Sequence, residues 1–484
     1  MPWSDAAVPV RMQRVALVAP SAALREVLAH LADAGVMQID RGAGPHGTTG
    51  ARQARGVARV GQAARPATPL ITPAAPDLTE LERSERYDLL AGEAELQTLS
   101  AAALRRSDAA ALVGWVPVSR LPEITGALAD AGGAVVPLAR PTWSQAPTLL
   151  AERGLHHELT PLVQTYGTVP YADIDPSWLA WASYVVMFGM MFGDAGQGVL
   201  LVAVAVALRF GWPRWLRRFH SAWPFVGGAG LAATVFGVLY GECFGPTGVV
   251  PVLWLSPLAQ PVTLLLAAAG FGAILLAGAY ALGTINRRRE GGWRAAMYAP
   301  SGIAGSCLFL GAAAAAAGWH FHHGVWLAAG GIVAMGGLGL AAAGFLAEAG
   351  RGGIAIMQAS VELFDFVVRL VSNVFSFTRL AAFGLAHAAL GLLVWEGTRD
   401  LWHRGGLFAV GGILLFAAGT ALAFSLEALV AAIQALRLEY YELFSRVFVT
   451  QGEPFRPWHV PVARTEVQDT GGLADPLDAE VARP

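Results

Sequence analysis

The hydrophobic rhythm of this chain changes near Trp178. Before that point apolar and polar residues alternate over short distances; after it, long apolar runs are separated by short polar loops. In the first stretch MQRVALVA reads as a strand, SAALREVLAHLADAG as a helix with Ser21 as its N-cap, and VMQID as a second strand. ALVGWVPV, LPEITGALADAG and AVVPLA repeat the strand–helix–strand order. Two such units predict a small N-terminal α/β, ferredoxin-like domain. Residues 41–76 are rich in Gly, Ala, Arg and Pro, with prolines at 45, 66, 69, 73 and 76, a linker composition that a helix does not tolerate. Residues 77–107 predict a helix capped by Asp77.

From Trp178 onward apolar blocks fall at about 178–193, 196–209, 221–243, 260–285, 300–318, 325–348, 360–397 and 405–449. The first two are either one long span or a hairpin turning at FGDAGQG, with Asp194 as a helix cap. Charge separates the alternatives. With the hairpin and an inside N-terminus, the inner loops hold Arg209, Arg214, Arg217, Arg218, Arg287, Arg288, Arg289, Arg294 and Arg351, and the outer loops only Arg399 and Arg404. That is the positive-inside distribution. A single span over 178–209 would put the WPRWLRRFH loop outside. The expectation is therefore a polytopic α-helical membrane domain of about eight spans with both termini cytoplasmic. Its last two blocks exceed the ~20 residues that cross a bilayer, so they should tilt strongly or project beyond it. The domains read as 1–176 (cytoplasmic α/β, with a shortened linker and coiled-coil region at 41–107), 177–450 (transmembrane) and 451–484 (cytoplasmic tail). GGIVAMGGLGLAAAG supplies small residues for close helix packing.

Composition agrees: 55% of the 484 residues are hydrophobic and only 14% charged, too apolar for a soluble protein of this length. A net charge of −2 provides no basic field for nucleic acid. No signal-peptide run opens the chain, so the first domain is expected to stay cytoplasmic. Cys243 and Cys307 lie in apolar stretches and read as small buried hydrophobes rather than a disulfide or metal pair. There is no GxxxxGK[ST] loop, so the chain is not expected to bind nucleotide. No cofactor or metal is expected either; the WHFHH group His320, His322 and His323 is weak evidence for a metal site.

Within the last two blocks the polar residues form stripes. The seventh carries Asp365, Arg369, Ser372, Ser376, Arg379 and His387, at steps of 4, 3, 4, 3 and 8. The eighth carries Glu427, Gln434, Arg437, Tyr441 and Ser445, at steps of 7, 3, 4 and 4. Both sets keep near one helix face. An arginine at the centre of a membrane helix costs about 2.5–3.5 kcal/mol on insertion scales, and such residues mark ion paths or bundle interiors. Arg379 and Arg437 therefore predict a site. Topology puts Asp365 toward the cytoplasm and His387 and Glu427 toward the outside. The implied device is two aqueous half-paths separated by a fixed positive charge, which arginine supplies because it does not lose its proton. Glu242, at the outer end of its block, either lines the outer path or snorkels.

FSFTRLAAFGLAHAAL followed by LEALVAAIQALRLEYYELFSRVF resembles the ion-translocating stator subunit (subunit a, or I) of V/A-type rotary ATPases. PTLL at 147–150, YGTVPYADIDPSWL, MFGMMFGDAGQGVLL, VFGVLYGECFG, EPFRPW, GWVP and the RMQRVALVAP opening extend the resemblance over nearly the whole chain. It implies that Arg379 faces the carboxylate of a rotating proteolipid ring, that Arg437 assists, that His387 and Glu427 serve the outer half-channel and that Asp365 serves the inner one; Gln434 belongs to the same seam. It also implies proton (in some members sodium) translocation without catalysis by this chain. The ATP sites would lie on other subunits, with the ring, peripheral stalk and soluble head as partners. One departure stands out: the family's long antiparallel coiled coil has no counterpart of full length, since residues 41–76 replace one arm. Two other readings use the same residues: a self-contained secondary transporter, expected to show repeated halves with broken helices, and a degenerate scaffold of the same fold.

Overall fold

The computed structural model describes residues 9–40, 68–72, 74–140, 145–150, 155–212, 214–448 and 452–462. Most of the proline-rich linker and most of the C-terminal tail lie outside the described residues. The chain forms two compact units, Val10–Pro147 with Phe455–Pro484, and Met1–Pro9 with Thr148–Pro454.

The first unit is built on strands β1 (Met12–Pro20), β2 (Gln38–Ile39), β3 (Leu104–Arg106), β4 (Ala109–Pro117) and β5 (Ala134–Pro137). They lie in the order β2–β4–β1–β5, with β3 beside β4 and every pairing antiparallel. Helix Leu24–Ala34 follows β1 and helix Leu121–Asp130 follows β4, so the two split β–α–β units anticipated from the pattern interleave into one antiparallel sheet. Val15 and Leu17 of β1 and Leu112 and Val116 of β4 are buried with Val27, Leu28 and Leu31 of the first helix and Ile124 and Leu128 of the second. That alternation along each strand leaves one face for the helices.

Two local expectations change. Ser21 does not cap the first helix: its backbone N–H donates to Asp108 O, and the helix begins at Leu24 without a side-chain cap. Asp77 does cap, accepting from Thr79 N, but only the short helix Leu78–Arg83 follows. Glu85, at φ 53°, breaks the segment before a second helix, Tyr87–Ala102. Beyond Ala102 the chain extends into β3.

The second unit is helical. Among the described residues five helices are long and apolar enough to cross a membrane: Arg217–Tyr240, Pro261–Tyr298, Ile303–His320, Gly324–Ala349 and Leu407–Val447. Two shorter apolar helices, Ser177–Met191 and Ala195–Phe210, flank the expected turn, and each packs on Trp223–Tyr240. Asp194 holds that turn: the carboxylate is fully buried and accepts from the backbone N–H groups of Gln197, Phe244 and Gly245 at 2.8–2.9 Å. Three such donors satisfy the buried carboxylate's hydrogen-bonding capacity. Close packing through small residues is also realised. A Cβ at Gly330 would meet Ala315 N at 2.4 Å, and one at Gly337 would meet Leu308 N at 2.4 Å, so only glycine lets helices Ile303–His320 and Gly324–Ala349 touch backbone to backbone.

The 360–397 block is not one helix. It divides into Gly353–Ser376 and Thr378–Arg404 at Phe377. There Phe377 N donates to Val374 O and Leu380 N to Phe377 O, bonds three residues apart that tighten the chain locally. The Phe377 ring is completely buried against Gly272, where a Cβ would lie only 2.2 Å from it. The last helix, Leu407–Leu438, runs into a π-helical turn, Glu439–Phe444, and a final turn, Ser445–Val447.

Candidate functional site

The break at Phe377 puts Arg379 in the first turn of Thr378–Arg404, and His387 lies two turns further on the same helix. His387 Nδ1 is hydrogen-bonded to Glu427 Oε2 of the Leu407–Leu438 helix, and the imidazole is 5% exposed. Its ring lies 4.8 Å from that of Phe192, which also meets Phe424. An aromatic wall thus confines the pair and lowers the local dielectric. The second oxygen, Glu427 Oε1, is buried without a hydrogen-bond partner among the described residues. Glu242, 4% exposed, and Asp194 act electrostatically on the same imidazole, so Glu242 belongs to this cluster rather than to the surface.

The arginines occupy different settings. Arg379 is half-buried, and its Nη1 is buried with no hydrogen-bond partner among the described residues. The charged groups bearing on it are Arg437 and Glu442. Arg437 itself is exposed, on a stripe with Leu426, Leu429, Ile433 and Tyr441. Gln434, one turn away, has a buried Oε1 with no partner among the described residues. Asp365 is not gathered into this group. It pairs with Arg369 at 2.7 Å on the Gly353–Ser376 helix, and both side chains are more than half exposed.

Sequence spacing missed a second polar layer. With its amide oriented to meet complementary partners, Asn373 donates to Glu442 Oε2 and Arg369 O, both at 3.0 Å, and accepts from Arg446 Nη2 at 2.8 Å. Arg446 also stacks over the Tyr280 ring at 5.6 Å. Deeper still, Glu439 is 1% exposed and accepts from Ser183 Oγ at 2.7 Å. The π-helical turn explains why these groups escaped notice. It widens the helix by one residue per turn, so Glu439, Glu442 and Arg446 point inward while Tyr441 and Ser445 stay exposed. A search at steps of three and four follows Arg437, Tyr441 and Ser445 along the outer face instead.

The arrangement is a line of polar and charged groups along Gly353–Ser376, Thr378–Arg404 and Leu407–Val447: His387 and Glu427 at one end, Arg379 and Arg437 between, Glu442, Asn373 and Arg446 at the other. The His387–Glu427 pair can pass a proton between its members, Glu442 is the titratable group at the other end, and the centre is cationic. Among the described residues no three His, Cys, Asp or Glu side chains are grouped to hold a metal ion, His320, His322 and His323 included. Both cysteines are free.

A family model described as the V-type ATPase 116kDa subunit family matches residues 96–223 and 347–460, which include every residue of this line. An A-type ATP synthase subunit I from Aeropyrum pernix is 26% identical over 444 residues, covering 80% of this chain and 63% of its own length. One from Thermococcus kodakarensis is 25% identical over 390 residues, covering 77% of this chain and 57% of its own. V-type ATP synthase subunit I 2 from Treponema pallidum is 37% identical over a shorter 105 residues, 22% of each chain. The chain thus spans about six-tenths of the length of the first two of these curated relatives.

Proposed function

The chain belongs to the V-type ATPase 116kDa subunit family, and from that premise we propose that it is the ion-translocating stator subunit of a rotary ATPase, passing protons (or sodium ions) between two half-paths past Arg379. The observation that carries this reading is the unsatisfied Arg379. A half-buried guanidinium with a buried nitrogen that meets no acceptor among the described residues is costly unless a partner supplies one. A carboxylate on a neighbouring ring of small proteolipids is that acceptor. The exposed apolar stripes beside it, Phe364, Val368, Val371 and Phe375 on one helix and Leu426, Leu429 and Ile433 on the other, suit a rolling helical partner.

The steps follow from charge. A protonated ring carboxylate meeting Arg379 loses its proton, because the adjacent cation stabilises the anion. The proton leaves through one half-path, and the freed carboxylate is reprotonated from the other after passing the arginine. His387 and Glu427, supported by Glu242, serve the outer path. Glu442, Asn373 and Arg446 serve the inner one, with Asp365 and Arg369 at its mouth and Gln434 and Arg437 flanking the barrier. Arginine keeps the two paths electrically separate because it stays charged. ATP chemistry belongs to other subunits, and the ring, peripheral stalk and soluble head are the partners.

Eight spans with both termini cytoplasmic complete the proposal, with the 177–210 hairpin and the helices that meet at Phe377 added to the longer ones. The cytoplasmic arm is short: among the described residues of the sheet-bearing unit the longest helix is Tyr87–Ala102, of 16 residues. The stalk contact is therefore made through a compact surface. Purification from native membranes tests the function. A small proteolipid with a carboxylate midway along a helix is expected to copurify, and its absence from a preparation that retains this chain intact would overturn the reading.

A further inference from the structure

A cavity of about 1190 Å³ opens where the apolar run of Pro261–Tyr298 ends and Arg287, Arg288, Arg289 and Glu290 begin. That transition marks a membrane–water boundary whichever way the chain is oriented. Of the residues in the Arg379 line, Arg446 also lines this cavity. One wall is apolar, made by Ala343, Gly344, Phe345 and Ala347 of Gly324–Ala349. The other carries cations, Arg287, Arg294 and Arg446, and the one lining carboxylate, Glu348, stands at the end of the first wall's helix. Two of these arginines are engaged: Arg287 pairs with Glu290 at 2.6 Å, and Arg446 holds Asn373. Arg294 is exposed and makes no ion pair among the described residues. At the same wall Ser301 is 5% exposed, and among the described residues neither its Oγ nor the buried Arg287 Nε has a hydrogen-bond partner.

Two unmet buried donors beside a free arginine call for an anionic acceptor. The volume and the apolar wall call for more than a small ion, because a free phosphate would leave most of the space empty. Exposed Trp293, Met297 and Tyr298 stand at the rim, side chains suited to the headgroup level of a bilayer. The backbone makes the opening possible: Gly292, at φ 71° and ψ −165°, kinks the helix and turns residues 293–298 across it.

We propose that this cavity seats the phosphate of an anionic phospholipid, held by Arg294 and the Ser301 hydroxyl, with its acyl chains along Ala343–Ala347. Basic pockets between membrane helices at the headgroup level bind such lipids. The site anchors the Pro261–Tyr298 helix, whose Gly272 packs on Phe377 beside the arginine barrier.

Native mass spectrometry of the full-length protein, delipidated and returned to nanodiscs of mixed phosphatidylglycerol and phosphatidylcholine, tests this. The wild type should retain phosphatidylglycerol in preference to phosphatidylcholine. Arg294→Gln should lower that retention by about tenfold, the equivalent of one charged hydrogen bond, and Ser301→Ala by a smaller factor. Equal retention of the two lipids, or unchanged retention in both variants while each elutes as folded protein, overturns the proposal. A second arm adds inorganic phosphate alone. If it displaces phosphatidylglycerol completely and binds as well without lipid, the site is one for a free anion and the lipid assignment falls.

Discussion

Ser183 Oγ donates to Glu439 Oε2 across 2.7 Å, joining residues 256 positions apart on the Ser177–Met191 hairpin helix and the π-helical turn. Glu439 is almost wholly buried, and the Ser183 hydroxyl donates to its carboxylate there. The pair fixes the turn that points Glu442 and Arg446 inward. Ser183→Ala should lower stability by about 1–3 kcal/mol, the cost of an unsatisfied buried acceptor, while Ser183→Thr, which keeps the hydroxyl, should lose less. Thermal unfolding in detergent measures both, and equal loss in the two variants would show that packing matters there rather than the bond.

Asp173 predicts a pH dependence outside the spans. Its side chain is fully buried, with Arg287 Nη2 at 4.0 Å and Glu290 alongside, and burial pushes its pKa up from 3.8 to about 8. The folded state therefore holds a proton that the unfolded chain releases at a much lower pH. Its contribution is fully present below pH 3.8 and is lost as the pH rises toward about 8, so stability falls across that window. Asp173→Asn keeps a neutral group at every pH. It should flatten the decline in unfolding temperature between neutral and mildly alkaline pH; an unchanged slope would show that Asp173 does not set it.

His387 and Glu427 should behave as one unit. Either His387→Ala or Glu427→Gln leaves its partner buried and unpaired, so each should slow ion flux strongly. The double variant should be little worse than the single ones, with a coupling of about 0.5–3 kcal/mol in a thermodynamic cycle. Flux in reconstituted vesicles and unfolding in detergent report the two sides. Additive losses would mean that the residues act separately.

Much of the fold was legible because the signals were local. FGDAGQG offered a hairpin turn and the arginines that follow at 209–218 decided for it, while alternation announced β1 and β4. Three features were not. Nothing in FSFTR marks a helix break, because the cause is distant: Phe377 fills the room left by Gly272, about a hundred positions earlier. Ser21 is not the cap because the helix starts only at Leu24, which makes Ala23 its N-cap residue. The inward set Glu439, Glu442 and Arg446 was hidden by the π-helical turn, which shifts the face that fixed steps of three and four would follow. Of the seam itself, spacing placed His387 near Glu427 through opposite helix directions, and the structure brings them together. It put Asp365 in the same line, whereas the carboxylate pairs locally with Arg369 on an exposed face.

The central claim is that Arg379 is a permanent charge separating two half-paths, and ATP-driven ion uptake into inverted membrane vesicles tests it most directly. Arg379→Lys keeps a cation but replaces the fixed guanidinium with a flexible ammonium that can release its proton. With the chain still inserted and its complex still assembled, the variant should show uptake reduced to background. Uptake at the wild-type rate would contradict the account.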